Sequence, residues 1–240
     1  MLAQSEAPMS YETGATAFHA ADFDTALAEW TKSAGNGDSD SCYNVGLMYA
    51  NGSGVERDFE TAVKWFHKAG EQHHQEAEYS LGVMYHVGFG VEEDDAEAAY
   101  WYTRAADRGN AQAQSNLAGL YETGSGVTRD YLKAVELYSL AAESGYVVAI
   151  FNLGVMCENG TGLERDLGRA AKFYESAAAA GLMAAQYNLG VLYARGSGVE
   201  MDHARSRELF QKAADQGHKS ALENLRAMEE VEQAESGDKK

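Results

Sequence analysis

Residues 186–199 read QYNLGVLYARGSGV, and versions of this stretch recur along the 240-residue chain at a constant step of 36. The step places a Leu-Gly pair, or its variants Val45-Gly46 and Leu117-Ala118, and then a Gly-x-Gly at equivalent positions. The Gly-x-Gly glycines are Gly52/Gly54, Gly88/Gly90, Gly124/Gly126, Gly160/Gly162 and Gly196/Gly198. A gapless period of about 20 to 50 residues is typical of stacked supersecondary units that bury their apolar faces against one another. We therefore expect one elongated domain.

Residues 111–146 illustrate why each unit is expected to be a helical hairpin. Apolar side chains four residues apart form one stripe of a first helix, helix A. They are Ala113, Leu117 and Tyr121. The glycines of the Gly-x-Gly end helix A, because glycine takes left-handed backbone conformations at little cost. Asp130 is then predicted to cap the N-terminus of a second amphipathic helix, helix B, and Gly145 to end it.

The composition restricts the kinds of partner. The chain carries 19 Lys and Arg against 37 Asp and Glu, a formal net charge of -18. Such a surface repels phosphates, so we expect no nucleic-acid partner. The acidity fits either solubility or selection for a basic partner. No run of 18 apolar residues is present, so no membrane insertion is expected.

The two cysteines and the start of the chain bear on its compartment. Cys42 and Cys157 lie in helices A three repeats apart, too far for a disulfide bond, and are read as small buried hydrophobes. Residues 1–8 show no secretion signal. The sequence therefore predicts a cytoplasmic protein as given, or a periplasmic or secreted one if a signal peptide has been removed.

The combined columns A-x-x-x-L-G-x-x-Y-x-x-G-x-G-V-x-x-D-x-x-x-A-x-x-W/Y-x-x-x-A-A-x-x-G closely resemble the Sel1-like repeat family, relatives of the tetratricopeptide repeat. The resemblance implies an all-α, right-handed superhelical solenoid of helical hairpins with the A helices on its concave face. It also implies an adaptor that binds other proteins or peptides. A cysteine-rich branch described as penicillin-binding has a disulfide in each repeat. This chain lacks those cysteines.

The predicted organisation follows from the columns. It comprises a flexible lead-in (1–8), a tetratricopeptide-like N-terminal hairpin (9–37), five Sel1-like repeats (38–73, 74–109, 110–145, 146–181 and 182–218), a C-terminal capping helix (219–229) and a disordered acidic tail (230–240). Both ends look capped, which favours a monomer.

Three columns of helix A lie opposite its buried stripe and are candidates for a binding groove. We call them the groove columns: aromatic Tyr43, Tyr79, Phe151 and Tyr187; amide Asn44, Asn116, Asn152 and Asn188; and aliphatic Val83, Val155 and Val191. Asparagine could hold the backbone of an extended peptide, and tyrosine could supply contact area. The alternative is that the asparagines and tyrosines connect neighbouring repeats. The column of Asn51, Val87, Thr123, Asn159 and Arg195 varies between repeats, as a specificity column would.

The sequence contains no arrangement of residues that is typical of a catalytic or metal site. His67, His73 and His74 lack the spacing of a metal site, and no nucleophile elbow or phosphate loop is present. We therefore expect no enzymatic activity, no metal and no cofactor. The favoured function is a protein-interaction scaffold that binds a protein segment or peptide on its concave face. The alternative is a cell-envelope accessory that binds peptidoglycan fragments or β-lactams.

Overall fold

The computed structural model describes the backbone of residues 9–237 and the side chains of residues 11–231. Within these limits the chain consists of thirteen α-helices and contains no β-strand, which confirms the all-α repeat fold. The predicted lead-in and the last three residues of the predicted tail lie outside the described residues. The chain divides into two compact units, one ending at Arg129 and the other beginning at Asp130.

Odd-numbered helices are A helices and even-numbered helices are B helices. The first unit contains α1 (Met9–His19), α2 (Phe23–Gly35), α3 (Ser39–Asn51), α4 (Phe59–Gly70), α5 (Gln75–Val87), α6 (Asp95–Asp107) and α7 (Ala111–Thr123). The second unit contains α8 (Tyr131–Glu143), α9 (Val147–Asn159), α10 (Leu167–Ala179), α11 (Met183–Arg195), α12 (His203–Asp215) and α13 (Lys219–Gly237). The last helix therefore continues past residue 229, where the sequence predicted a tail. None of the described helices is long and apolar enough to cross a membrane.

Aspartate side chains begin the B helices, because a carboxylate can accept a hydrogen bond from a backbone N–H that has no partner within the helix. Asp130 accepts from the backbone of Lys133 at 3.0 Å, as predicted. The N-caps are Asp22, Asp58, Asp94, Asp130, Asp166 and Asp202. His73 has a φ of 67° at the position where the other repeats place a glycine after helix B.

A glycine in helix A admits an aromatic ring from helix B of the same hairpin. A Cβ atom built on Gly82 would lie 2.4 Å from the ring of Tyr102, and one on Gly190 would lie 2.8 Å from Phe210. Real Cβ atoms do not approach other atoms so closely, so the ring occupies the space that the missing side chain leaves. In the hairpins that have this glycine, the contact joins the two helices, and it buries Tyr102 and Phe210.

The second glycine of each Gly-x-Gly lies against the start of the preceding B helix. In the first unit, a Cβ on Gly126 would lie 2.2 Å from the carbonyl carbon of Asp95 and 2.4 Å from the backbone nitrogen of Ala96. The sequence predicted only that these glycines end helix A. The structure shows that the second glycine also allows backbone to pack on backbone between consecutive repeats.

The last A helix departs from this pattern. Ala221 and Leu225 of α13 are buried like their equivalents in earlier repeats, but Arg226 replaces the helix A glycine. Arg226 is exposed, so α13 turns a polar side chain to the surface at the column where earlier repeats pack an aromatic ring.

Candidate functional site

All eleven predicted residues of the groove columns are half-buried. The aromatic members pack their inner edges on the buried aromatic rings of the B helices. The ring-centroid distances are 5.7 Å for Tyr43 and Phe66, 6.1 Å for Tyr79 and Tyr102, 5.6 Å for Phe151 and Tyr174, and 5.7 Å for Tyr187 and Phe210. The columns therefore adjoin the core on one side and keep part of their surface accessible.

Two of these tyrosines also stack on histidines. Tyr43 stacks on His74 at 4.6 Å, and Tyr187 stacks on His218 at 4.2 Å. Each histidine caps the following A helix, because its Nδ1 accepts a hydrogen bond from a backbone N–H three residues later. The stacking fixes the ring planes of Tyr43 and Tyr187, so both present a rigid edge.

The asparagine column is not uniform. Asn116 Nδ2 donates to Tyr102 Oη at 3.3 Å and so connects α7 to α6. Burial raises the pKa of Tyr102 and of Tyr174, and in Tyr174 the neighbouring Asn188 amide opposes that rise. Tyr174 Oη in turn donates to Glu158 Oε2 at 2.6 Å. These contacts support the structural alternative for Asn116 and Asn188.

Two asparagines of this column follow a B-helix aromatic that has no hydroxyl. Tyr102, which accepts the hydrogen bond from Asn116, lies 14 residues before it in the sequence. The same offset from Asn44 leads to Trp30 and from Asn224 to Phe210. Asn224 lies 36 residues after Asn188, so it continues the asparagine column into α13, where it is half-buried. Within the described side chains, its amide has no hydrogen-bond partner.

One cavity of about 710 Å³ brings part of the groove columns together in the second unit. It is lined by Glu158, Tyr187, Asn188, Val191, Ala194, Arg195, His203, Phe210, Asn224, Ala227, Met228 and Val231. Three predicted residues, Tyr187, Asn188 and Val191, thus share one site. Asn44, Asn116, Asn152, Tyr43, Tyr79, Phe151, Val83 and Val155 do not line this cavity.

The cavity is lined by both apolar and polar side chains. Val191 of α11, Phe210 of α12 and Met228 of α13 contribute apolar surface. Arg195, at the end of α11, and His203, at the start of α12, also line it and are exposed. Neither has an ion-pair partner among the side chains that the structure describes. Because α13 forms one wall, the sequence columns could not reveal the cavity.

The sequence analysis missed a buried charge cluster in the first unit. Glu78 of α5 is fully buried, and Arg104 Nε of α6 donates to its Oε1 at 2.9 Å. Arg108 Nη1 lies 3.3 Å from the other carboxylate oxygen, and His73 Nδ1 lies 3.8 Å from Oε1. The residues at the equivalent position of the other repeats are uncharged, so the repeat pattern does not predict an ion pair here. The only signal was His73 in place of the usual glycine.

The histidines considered for a metal site have separate roles. His67 Nε2 lies 3.0 Å from Tyr85 Oη, His74 caps α5, and His73 lies beside Arg104. Among the described residues no three His, Cys, Asp or Glu side chains are arranged to hold a metal ion. Cys42 and Cys157 are buried and unpaired, and burial raises the pKa of both thiols.

Known proteins share this architecture. The Sel1 repeat family model matches residues 39–74, 75–110, 111–146, 147–182 and 184–218. The structure of c5321, a protective antigen of uropathogenic Escherichia coli, is 38% identical with a TM-score of 0.87. The match covers 92% of this chain and 48% of that chain, so the protein spans about half the length of this relative.

Two further structures agree. A Sel1 repeat protein from Oxalobacter formigenes is 30% identical with a TM-score of 0.84, and the match covers 90% of this chain and 86% of that chain. Immunity protein PA5088 from Pseudomonas aeruginosa shares the fold alone, at 19% identity and a TM-score of 0.53, over 85% of this chain and 82% of that chain. Curated protein sequences give no match. Sel1 repeats generally mediate protein–protein interactions and typically form non-catalytic scaffolds. The chain belongs to the Sel1 repeat family.

Proposed function

We propose that this chain is a non-enzymatic adaptor that binds extended segments of a partner protein on the groove columns of each unit. The observation that carries the proposal is their half-buried state, in which rigid aromatic and aliphatic side chains keep accessible surface on a well-packed support. No observation on the described residues or in the relatives favours binding of peptidoglycan or β-lactams.

The three columns supply complementary contacts. Aromatic rings fixed by packing offer large contact areas at a low cost in conformational entropy. The aliphatic column, with Val83, Val155 and Val191, offers contacts to apolar side chains of the partner. Asparagine amides that are not engaged by a tyrosine can donate to and accept from a peptide backbone. We expect the adaptor to act as a monomer, without a metal or cofactor and without nucleic acid.

Selection from a phage-displayed library of random linear peptides on the immobilised full chain tests this proposal. Replacing a half-buried valine by lysine should place a charge in the groove without removing a core residue. We therefore expect Val83→Lys and Val155→Lys, one in each unit, each to weaken the binding of selected peptides that engage that unit by more than about tenfold.

The matched control is Leu132→Lys. Leu132 is 73% exposed on the B helix α8, so this substitution introduces the same charge outside the groove columns. Its peptide affinity should equal that of the wild type. If neither Val83→Lys nor Val155→Lys changes the affinity of any selected peptide while both remain folded, the groove columns do not bind peptides and the proposal is wrong.

A further inference from the structure

We propose that the cavity between α11 and α13 binds an apolar side chain of the partner that stands next to a carboxylate-bearing residue, with Asn224 holding the peptide backbone. This inference rests on the proposed function and specifies its ligand. It assigns the recognition of main-chain atoms to the last asparagine of the column, outside the set predicted from the regular repeats.

Among the described side chains, the amide of Asn224 has no hydrogen-bond partner. By contrast, the amide of Asn116 donates a hydrogen bond to the hydroxyl of Tyr102, which lies 14 residues upstream. At Asn224 the equivalent aromatic is Phe210, which offers only carbon atoms. A half-buried amide without a protein partner keeps a hydrogen-bonding capacity that a ligand can use. The backbone of an extended peptide presents both a donor and an acceptor to it.

Apolar side chains line much of the cavity. Phe210 is only 2% exposed and forms part of the core, whereas Val191 and Met228 are half-buried and face the same space. About 710 Å³ is ample for one large apolar side chain together with its backbone. Burial of that side chain would supply the non-directional part of the binding energy.

The cavity lining also includes charged side chains. Glu158 is the one carboxylate of the lining, and one of its oxygens already accepts a hydrogen bond from Tyr174. The guanidinium of Arg195 is exposed and has no carboxylate partner within the described part of the chain. A carboxylate is the geometric complement of a guanidinium. The ligand should therefore carry an acidic residue beside its apolar one, although the chain as a whole is acidic.

Peptides selected from the random phage library provide the probe, and three variants of the full chain test the assignment. Phe210→Tyr adds a hydroxyl at the place where Tyr102 engages Asn116, so it should occupy the Asn224 amide and weaken peptide binding about fivefold. Asn224→Ala should do the same by removing the amide. Arg195→Glu should weaken the binding of acidic peptides by about tenfold.

Two matched controls separate these effects from general damage. Phe66→Tyr adds the same hydroxyl at the same column in the first unit, where Ser80 takes the place of asparagine. Asn36→Ala removes an exposed amide at the end of α2. Both should leave peptide affinity unchanged. Phe210→Tyr should also unfold at a higher urea concentration than wild type, since it gains a hydrogen bond.

The outcomes are distinct. Selected peptides with an acidic residue beside an apolar one, together with losses for Phe210→Tyr, Asn224→Ala and Arg195→Glu alone, would support the assignment. If peptides lose affinity with Val83→Lys or Val155→Lys but bind Phe210→Tyr and Asn224→Ala as well as wild type, the inference is wrong and the proposed function stands. Absence of any effect from all five groove and cavity variants would overturn both.

Discussion

Replacement of Gly126 by alanine tests the contact that joins consecutive repeats in the first unit. Gly126 has a φ of 67°, and a left-handed backbone costs an alanine about 1–2 kcal/mol. A Cβ atom would also lie 2.2 Å from the carbonyl carbon of Asp95, and overpacking of this kind costs about 1–3 kcal/mol. We therefore expect Gly126→Ala to lower the free energy of unfolding by about 2–5 kcal/mol.

Gly109 provides the matched control. Its φ is 87°, but a Cβ atom there would meet nothing within 4 Å. Gly109→Ala should therefore cost only the conformational part, about 1–2 kcal/mol. Alanine restricts the unfolded chain equally in both variants, so this effect cancels in their difference. That difference, about 1–3 kcal/mol, measures the close approach of the backbones.

Urea unfolding followed by far-UV circular dichroism gives the two free energies. Because repeat arrays can unfold in parts, hydrogen exchange of the amides in α6 and α7 should be measured alongside. The Gly126→Ala variant should lose protection at the start of α6, where Asp95 lies, and Gly109→Ala should not. Equal destabilisation by the two substitutions would refute the idea that Gly126 is required for backbone packing.

Three further substitutions test local contacts. Burial lowers the pKa of His67, so the stability of its neutral form is present above about pH 6.5 and is lost as the pH falls; urea unfolding of His67→Gln should depend less on acidification than that of wild type. Tyr174→Phe removes the hydrogen bond to Glu158 and should cost about 1–2 kcal/mol in thermal unfolding. Asp166→Ala removes the cap of α10 and should cost about 1 kcal/mol, measured in urea.

Much of the fold could be predicted because the residues that begin and end each helix lie within the repeat itself. The asparagine or aspartate before a helix and the glycine after it act locally, so Asp130 and Gly145 could be assigned from their positions alone. The second glycine of the loop was understood only in part. Its contact with Asp95 lies in the preceding repeat, and no pattern within one repeat contains that information.

The candidate site was predictable to a smaller extent. The columns grouped Tyr187, Asn188 and Val191, and these three residues line one cavity. They treated all asparagines as equivalent, although the partner of each amide depends on whether the aromatic 14 residues upstream carries a hydroxyl. Once that contact is known, the difference between Asn116 and Asn224 can be read directly from the sequence.

Glu78 carries a buried charge that the repeat pattern does not indicate. Other repeats place Cys42, Gln114, Ile150, Gln186 and Leu222 at this position, and only Glu78 carries a charge. A fully buried carboxylate needs compensation, which Arg104 supplies from the next helix. Removing the carboxylate alone leaves Arg104 half-buried without its counter-ion. We expect Glu78→Leu to lower the free energy of unfolding by about 3–5 kcal/mol.

A double variant separates the loss of the ion pair from the loss of packing. Leu140 stands at the Arg104 column in the next repeat, so Arg104→Leu has a precedent within this chain. The double variant Glu78→Leu/Arg104→Leu removes both charges of the pair, so neither is left without its partner. The side chain of Arg108 is exposed enough to be solvated by water. The double variant should therefore be more stable than Glu78→Leu, with a coupling energy of about 1–3 kcal/mol in urea unfolding. Additive effects of the two substitutions would show that Arg104 does not compensate Glu78. The cluster would then contribute to stability through packing and not through charge.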